Sequence, residues 1–384
     1  MAHAQSWDTI VIGLGAMGSA TLDQLARREP GARRILGLEQ YPARHTLGSS
    51  HGHHRMIRRS HWVPAFRPLV DRAWELWRDL EAETGVDLLR ITGEVALLGA
   101  DSVRMLRASD DNELAGTRDL LDEATLQQQF PGFRLDEGML ATYEATAGYL
   151  RPEEAVEAAM QRAQANGAVV RRPEAVLGWA VDGDGVVVTT ASGEERADRL
   201  VLCAGAYTEE LLRERGLPLQ VVRIVNAYFE PERPDLWNVE NGAPDFLIGV
   251  PGASYYGMSS VDGIGVKIGH HYHGEQTTAR TIRRDVDDAE VQALRDVLDR
   301  FMPGSTGTVK AVATCMYTMT PDENYIIETH PEHPQVSYAC GFSGTGFKFT
   351  PVIGEIMADL ASSGESRHDL AQFSSSRFNT ANVA

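Results

Sequence analysis

The first forty residues contain the feature that most constrains the fold, a glycine-rich turn between two apolar segments. The run T-I-V-I at residues 9–12 leads into G-L-G-A-M-G, a helical stretch follows, and a second apolar run, Ile35–Leu38, ends on Glu39. This is the order strand, turn, helix and parallel strand of a βαβ unit. The sequence therefore predicts a Rossmann-like α/β domain at the start of the chain.

Each glycine of this turn has a separate physical role. Gly13 permits the tight turn, Gly15 lets the backbone approach a pyrophosphate, and Gly18 lets the helix pack closely on the strand. Glu39 follows at the spacing of about 20 residues at which an acid accepts hydrogen bonds from a ribose hydroxyl. The alternative is a tight strand–helix turn that binds nothing. The complete unit favours a bound dinucleotide, but it does not distinguish NAD from FAD.

Bulk composition excludes several classes of protein. At 384 residues the chain is long enough for two domains, and its formal charge of −18 disfavours non-specific binding to nucleic acid or anionic membranes. No apolar run reaches the length of a membrane span, and the N-terminal residues lack the pattern of a secretory signal. Cys203, Cys315 and Cys340 form no C-x-x-C pair. We expect a cytoplasmic protein without disulfides.

Periodicity along the chain predicts both helices and strands. Helices are expected at 63–84, 103–107, 123–129, 152–166, 287–301 and 352–362, with Gly85 as a cap and Glu290 in a capping box. Strands are expected at 93–99, 168–170, 199–205, 310–319 and near 325–327, with a meander over 176–193 and successive β-runs over 220–274. The predicted fold is an α/β FAD-binding domain with an inserted, mainly antiparallel β-sheet substrate domain.

We assign the domains from these patterns. The FAD-binding domain is expected to be discontinuous, formed by residues 1–92, 147–217 and 316–384. The substrate domain is expected to be formed by residues 93–146 and 218–315. FAD is preferred over NAD because a strand returns at 200–205 and a second glycine-rich turn, Gly341–Gly346, precedes a helix. These features give a larger cofactor a second anchoring site.

Seven segments carry a resemblance to a known family. They are G-L-G-A-M-G at 13–18, G-S-S-H-G-H-H-R-M-I-R at 48–58, Y-Y-G-M at 255–258, G-V-K-I-G-H-H at 265–271, C-M-Y-T at 315–318, P-D-E-N-Y-I-I at 321–327 and G-F-S-G-T-G-F-K-F at 341–349. In these segments the chain closely resembles the monomeric sarcosine oxidases and N-methyltryptophan oxidases, FAD-dependent amine oxidases of the D-amino-acid-oxidase-like superfamily.

The resemblance implies how the cofactor is held. It implies that Cys315 joins the flavin 8α-methyl as a thioether, whereas the residue alone could equally be a small buried hydrophobe. His51 corresponds to a residue beside the flavin ring. The second glycine-rich turn, with Gly344, Gly346 and Lys348, is expected to contact the cofactor as well.

The resemblance also implies the substrate side of the site. Arg58 and Lys348 match the pair that binds the substrate carboxylate, and the alternative for each is a surface ion pair. Lys267 matches a lysine that activates dioxygen, and the alternative is an outward-facing lysine on its strand. The remaining residues expected at the catalytic centre are Tyr256, His271, Tyr317 and Arg55.

The implied reaction is oxidation of the C–N bond of a secondary amino acid, N-methyl or cyclic. A hydride passes to the flavin, and dioxygen is then reduced to hydrogen peroxide. The expected partners are therefore a small amino acid and O2, with no nucleic acid and no membrane, and the expected state is a monomer. The histidine groups 51–54 and 270–273 lack accompanying carboxylate or cysteine ligands, so no metal is expected.

Two other functions remain open on the sequence. One is an FAD dehydrogenase that passes electrons to another protein, and the other is an NAD(P)-dependent dehydrogenase or nucleotide-sensing module without flavin. The chain also departs from the family near the expected flavin. It has S-H-G-H-H-R at 50–55 where H-H-G-D-T-R is expected, and S-G-T-G at 343–346 in place of S-G-H-G. We therefore expect the reaction type to be kept and the side-chain preference to differ.

Overall fold

The computed structural model describes residues 6–61, 63–99, 117–272 and 274–378, and the helix expected at 103–107 lies outside them. The strands in chain order are β1 Trp7–Ile12, β2 Ile35–Leu38, β3 Arg55–Ile57, β4 Leu89–Ile91, β5 Glu94–Leu98, β6 Asp119–Leu121, β7 Leu140–Glu144, β8 Gly148–Leu150, β9 Val169–Arg171, β10 Val176–Asp182, β11 Gly185–Thr190, β12 Gly193–Leu202, β13 Gln220–Phe229, β14 Asp245–Val250, β15 Ala253–Met258, β16 Val266–His271, β17 Glu275–Thr277, β18 Val309–Met319, β19 Ile326–Thr329 and β20 Val336–Cys340. The helices are α1 Ala16–Arg28, α2 Arg67–Thr84, α3 Glu123–Gln129, α4 Pro152–Ala165, α5 Thr208–Leu211, α6 Pro234–Trp237, α7 Asp288–Phe301 and α8 Thr350–Ser363.

An eight-stranded sheet contains the glycine-rich fingerprint. Strands β9, β2, β1 and β12 run parallel in that order, with Ile10 opposite both Leu36 and Leu200. The strand expected at 199–205 ends earlier, at Leu202, and is the second half of the longer β12, whose first half pairs with β11. Strand β20 then adds to β12 in parallel. The predicted Rossmann-like arrangement is therefore confirmed.

Helices cover this sheet through close backbone contacts. Helix α1 packs against α4 and α8, and an added Cβ at Gly354 of α8 would lie 2.6 Å from the backbone of Ala20. Helix α2 buries Leu69, Ala73, Leu76, Trp77 and Leu80, as its spacing predicts. It ends at Gly85, which adopts the left-handed conformation with φ 71°.

A nine-stranded, mainly antiparallel sheet forms the second layer, in the order β17-β13-β16-β15-β14-β5-β7-β6, with β18 also paired to β13. Helix α7 packs on it and buries Leu294, Leu298 and Phe301, whereas Val291 is only half-buried. Its start has the expected capping box between Asp287 and Glu290. This is the inserted sheet that the sequence predicts.

A third sheet was not expected from the sequence. Strands β3, β8 and β4 form a three-stranded antiparallel sheet, in which Arg55 pairs with Leu150. No strand is predicted from the sequence at residues 55–57, where the structure has β3. The strand fixes the backbone between Arg55 and Arg58, two residues expected at the active site.

Candidate active site

Two adjoining cavities lie between the two large sheets. The first follows the glycine-rich fingerprint, the loop at 39–51, the end of β12 and the second glycine-rich turn. The second has a volume of about 310 Å³ and lies against one face of the nine-stranded sheet. This volume is at the small end of ligand pockets, which suits a small molecule. Both cavities are lined by Arg55, Cys315, Tyr317, Gly344 and Phe347.

The fingerprint glycines leave no room for side chains. At Gly13, which has φ +83°, an added Cβ would lie 2.7 Å from the carbonyl oxygen of Cys203, and at Gly18 it would lie 1.8 Å from the carbonyl oxygen of Gly13. Gly13 and Gly15 line the first cavity, whereas Gly18 lies behind the turn, where it packs helix against strand. The Ser50 hydroxyl accepts a 2.9 Å hydrogen bond from the Ala16 N–H at the start of α1.

Glu39 is 8% exposed and lines the first cavity. Its carboxylate accepts hydrogen bonds from the backbone N–H groups of Leu14 and Tyr41 at 2.9 and 3.0 Å. These contacts fix the carboxylate beside the fingerprint. Because each carboxylate oxygen can accept more than one hydrogen bond, Glu39 keeps capacity for a ribose hydroxyl.

Arg55 organises the loop that precedes it. Its guanidinium donates to the carbonyl oxygens of Ser49, His51 and His54. His51 is buried with its Nε2 lacking a hydrogen-bond partner. Burial, followed by the charge of Arg55, lowers the pKa of His51 to about 3, so its ring is neutral. A neutral ring beside the first cavity offers a single N–H donor.

The second glycine-rich turn closes the first cavity. Gly344 has φ +76°, and an added Cβ there would lie 2.1 Å from the ring of Tyr317. At Gly346 an added Cβ would lie 2.7 Å from the side chain of Phe342. The turn leads into α8, as expected. Glycine is therefore required at both positions by the side chains that they face.

Cys315 lies on β18 at the junction of the cavities. It is 7% exposed, and its strand places it opposite Ile224 of β13. The nearest acceptors to its sulfur are the carbonyl oxygens of Met316 and Ser49, at 3.7 and 4.0 Å. The thiol therefore faces the loop that Arg55 holds.

Leu247, Tyr256 and Asn226, which belong to one row across the nine-stranded sheet, line the second cavity. Leu247, Tyr256, Gly269 and Asn226 are consecutive cross-strand partners. The Tyr256 hydroxyl donates to Asn226 Oδ1 at 2.7 Å across Gly269, where an added Cβ would lie 2.8 Å from both side chains. Gly269 therefore gives the tyrosine ring its space, and Asn226 fixes its hydroxyl.

Tyr317 and His271 continue this polar surface. Their Oη and Nδ1 atoms are 3.3 Å apart, and their ring centroids are 5.7 Å apart. Burial raises the pKa of Tyr317 well above its ordinary value, and Tyr256 adds to the shift. Burial also raises the pKa of Tyr256, so the phenols of Tyr256 and Tyr317 are both neutral hydrogen-bonding groups.

Two cations, Arg58 and Lys348, reach the second cavity. Lys348 is 8% exposed, and its Nζ donates to the Thr345 carbonyl oxygen at 2.9 Å. Burial, followed by the charge of Arg58, lowers the pKa of Lys348 to about 7. Arg58 Nη1 lies 3.5 Å from Glu94 Oε1, a loose ion pair. An anion entering the cavity would relieve the repulsion between these cations.

Lys267 points inward from β16, and its position differs from that of the other expected residues. It is 2% exposed and lines neither cavity. Its Nζ donates to the His54 carbonyl oxygen at 3.2 Å and lies 5.4 Å from the centroid of the Tyr256 ring. Burial, followed by the charge of Arg55, lowers its pKa to about 7. The outward-facing alternative is therefore excluded.

Several residues at the second cavity were missed from the sequence. They are Asn226, Tyr272 and Arg118, together with an apolar side formed by Ala96, Leu98 and Leu247. Asn226 had a signal, since it is a polar residue within the apolar run of β13. Arg118 had no such signal, because nothing in its local sequence distinguishes it from an arginine on the surface.

The residues fit an elongated dinucleotide such as FAD. The fingerprint, Glu39, the His51 loop and the second glycine-rich turn surround one continuous cavity, with glycine wherever a Cβ would close it. Within residues 6–61, 63–99, 117–272 and 274–378, no group of three histidine, cysteine, aspartate or glutamate side chains could hold a metal ion. In the same parts of the chain, every helix is too short or too polar to cross a membrane.

The chain is similar to known FAD-dependent proteins over nearly its whole length. The family model described as FAD dependent oxidoreductase matches residues 8–360. The monomeric sarcosine oxidase of Streptomyces avermitilis is 40% identical, over 96% of this chain and 97% of its own length. The N-methyl-L-tryptophan oxidase of Escherichia coli O157:H7 is 34% identical, over 97% of this chain and 99% of its own. The structure of NikD, an unusual amino acid oxidase essential for nikkomycin biosynthesis, superposes with a TM-score of 0.83 at 23% identity, over 97% of this chain and 98% of that chain.

Proposed function

The chain belongs to the family of FAD-dependent oxidoreductases and is a flavin-dependent amine oxidase, and on that premise we propose that it oxidises secondary amino acids at the C–N bond. One observation carries the choice of substrate: Arg58 and Lys348 meet in a small cavity that shares a wall with the dinucleotide cavity. An amine bound there with its carboxylate on these cations lies beside the expected cofactor. The sarcosine and N-methyltryptophan oxidases resemble the chain over nearly its full length, which supports an N-methyl amino acid as substrate.

The proposed reaction converts an N-methyl amino acid, O2 and water into the demethylated amino acid, formaldehyde and hydrogen peroxide. The chemistry that FAD supplies when bound is two-electron oxidation of the C–N bond and reduction of O2. Arg58 binds the substrate carboxylate through its planar fork, and Lys348 adds a point charge. Both need a substrate that is anionic at one end.

The other residues orient the amine and support the oxidative half of the reaction. Tyr256, Tyr317 and His271 form a polar surface under the substrate and bind its nitrogen. Lys267 provides a buried positive charge, which stabilises the negative charge that O2 acquires during reduction. His51 and Arg55 border the cofactor and set the polarity around it.

We further propose that Cys315 attaches the flavin covalently as a thioether. Its support is the position of the sulfur at the junction of the two cavities, together with the match of C-M-Y-T to the family segment. The test is acid precipitation of the purified protein: yellow colour should stay in the pellet for wild type and move to the supernatant for Cys315→Ala. Colour that leaves the wild-type pellet would overturn the attachment and leave the oxidase proposal intact.

The domain division follows the same proposal. Residues 1–92, 147–217 and 316–384 form the FAD-binding domain, and residues 93–146 and 218–315 form the substrate domain. The domains share the site, since Arg58 and Lys348 belong to the first and Cys315 to the second. We also propose that the protein acts as a cytoplasmic monomer. Cys203, Cys315 and Cys340 are buried and form no disulfide with one another, which fits a reducing compartment. Sedimentation of the purified protein at micromolar concentration tests the monomer.

A peroxide assay on a panel of amines tests the central proposal. Sarcosine, an N-methyl amino acid with a large apolar side chain and a cyclic imino acid should release peroxide, and the matching N-methyl amines without a carboxylate should react far more slowly. Equal rates with and without the carboxylate would contradict the roles of Arg58 and Lys348. Flavin reduction by these substrates without oxygen consumption would instead identify a dehydrogenase with a protein acceptor.

A further inference from the structure

A compact group of charged side chains lies at one wall of the second cavity. Glu94 and Glu144 have side-chain exposures of 0%, Arg118 has 4%, and Arg58 has 19%. The group therefore contains two positive and two negative charges. Because Glu94, Glu144 and Arg118 are shielded from water, leaving one of these charges without its partner would be costly.

Arg118 is bound within this group by three of its nitrogens. Nη2 donates to Glu94 Oε1 at 2.8 Å, Nε donates to the Ser60 hydroxyl at 2.8 Å, and Nη1 donates to the Thr142 hydroxyl at 3.0 Å. Arg118 borders the cavity, but its guanidinium is already engaged by the protein. It is therefore not placed to bind substrate itself.

Glu94 connects Arg118 to Arg58. Its Oε1 accepts the Arg118 hydrogen bond and lies 3.5 Å from Arg58 Nη1, whereas its Oε2 is buried and has no hydrogen-bond partner. Glu144 holds the backbone next to Arg58, since its Oε1 accepts from the N–H groups of Arg59 and Ser60 at 2.6 and 3.3 Å. The backbone beside Arg58 is thus fixed, and its guanidinium lies between Glu94 and the cavity.

Removing Arg118 would leave Glu94 as a buried carboxylate with Arg58 as its neighbouring cation. An uncompensated buried carboxylate is costly, so Arg58 would be drawn onto it. A guanidinium that pairs with Glu94 can no longer make a bidentate contact with a substrate carboxylate. We infer that Arg118 is a positioning residue, which holds Glu94 so that Arg58 stays available to the substrate. This inference rests on the proposed function.

The first measurement is the steady-state kinetics of Arg118→Met with an N-methyl amino acid. KM should rise about tenfold or more, while kcat stays within about threefold of wild type, because binding is lost and the reacting groups are untouched. Arg118→Lys keeps the charge beside Glu94 and should stay closer to wild type. A kcat that falls while KM is unchanged would overturn the inference.

Two double variants separate positioning from a merely structural role. In an Arg58→Met background, adding Arg118→Met should cause no further rise in KM, because the residue through which Arg118 acts is gone. In a Glu94→Gln background, adding Arg118→Met should also leave KM unchanged, because the carboxylate that lies next to the Arg58 guanidinium is gone. Additive effects in either background would refute the inference.

The comparison of Glu94→Gln with the double variant Glu94→Gln/Arg118→Met also tests the inference if Arg118→Met alone fails to fold. Replacing both members of a buried ion pair is tolerated far better than removing one, so this double variant keeps the comparison measurable. Flavin absorbance and thermal unfolding report whether each variant is folded. If Arg58→Met itself leaves KM unchanged, the proposed carboxylate site fails; if it raises KM and Arg118→Met adds to it, only the inference about Arg118 fails.

Discussion

Replacing Lys348 by methionine should raise KM by an amount that depends on pH. The pKa of Lys348 is lowered from 10.5 to about 7, so the side chain is charged below pH 7 and neutral above it. A substrate carboxylate needs the charged form. Above pH 7, binding must therefore be accompanied by protonation, which becomes tenfold less favourable, or about 1.4 kcal/mol, with each pH unit.

The ratio of KM for Lys348→Met to KM for wild type isolates this effect. Ionisation of the substrate amine affects both enzymes alike and cancels in the ratio. We expect the ratio to be constant below about pH 7 and to fall roughly tenfold per pH unit between about pH 7 and pH 9, until it approaches one. Initial rates of peroxide release over this range, with one N-methyl amino acid, provide the measurement.

Lys348→Arg is the matched control, because a guanidinium stays charged over the whole range. The ratio of KM for Lys348→Met to KM for Lys348→Arg should therefore be independent of pH. If the ratio of KM for Lys348→Met to KM for wild type is also independent of pH, the reasoning is refuted. It would mean that Lys348 does not change its charge in this range or does not contact the carboxylate.

Three further substitutions have defined outcomes. Gly344→Ala places a Cβ 2.1 Å from the Tyr317 ring at a residue with positive φ. It should lower the free energy of unfolding by about 2–5 kcal/mol and reduce the flavin-to-protein absorbance ratio. An unchanged melting temperature would contradict this. Asp287→Ala removes the capping box with Glu290. The free energy of unfolding, measured with denaturant, should fall by about 1 kcal/mol while turnover stays unchanged. A loss of turnover would show that the helix affects the site. Lys267→Met should slow reoxidation by O2 but stabilise the fold, because it removes a buried cation. Its pKa of about 7 lies below 10.5, so wild-type stability rises with pH between these values, and the advantage of methionine, measured by thermal unfolding, should shrink over the same interval.

The sequence predicted the large elements because their signals are local. The fingerprint between β1 and β2, the periodic face of α2 and the capping box of α7 each depend on residues close together in the chain, and all three are confirmed. The three-stranded sheet was missed because its strands have three residues each and pair only with distant segments. Periodicity cannot be read from so short a run.

The expected site residues differ in how they could be found. Gly13 and Glu39 follow from spacing and physical chemistry, whereas Cys315, Lys267 and Arg58 were singled out through the resemblance. The missed residues act through partners distant in sequence. Arg118 meets Glu94, and Asn226 meets Tyr256, only after the nine-stranded sheet has formed. Their roles are properties of a cross-strand register, which a linear motif does not contain.

The order of strands in the nine-stranded sheet has a consequence for how such an enzyme can diversify. Ala96, Leu98 and Leu247 come from β5 and β14, on one side of the cavity, while His271 and Tyr317 come from β16 and β18, on the other. Substitutions on β5 and β14 can therefore enlarge or reshape the apolar side without changing any of the proposed catalytic residues. A single mutation there could change which substrate side chain fits the cavity.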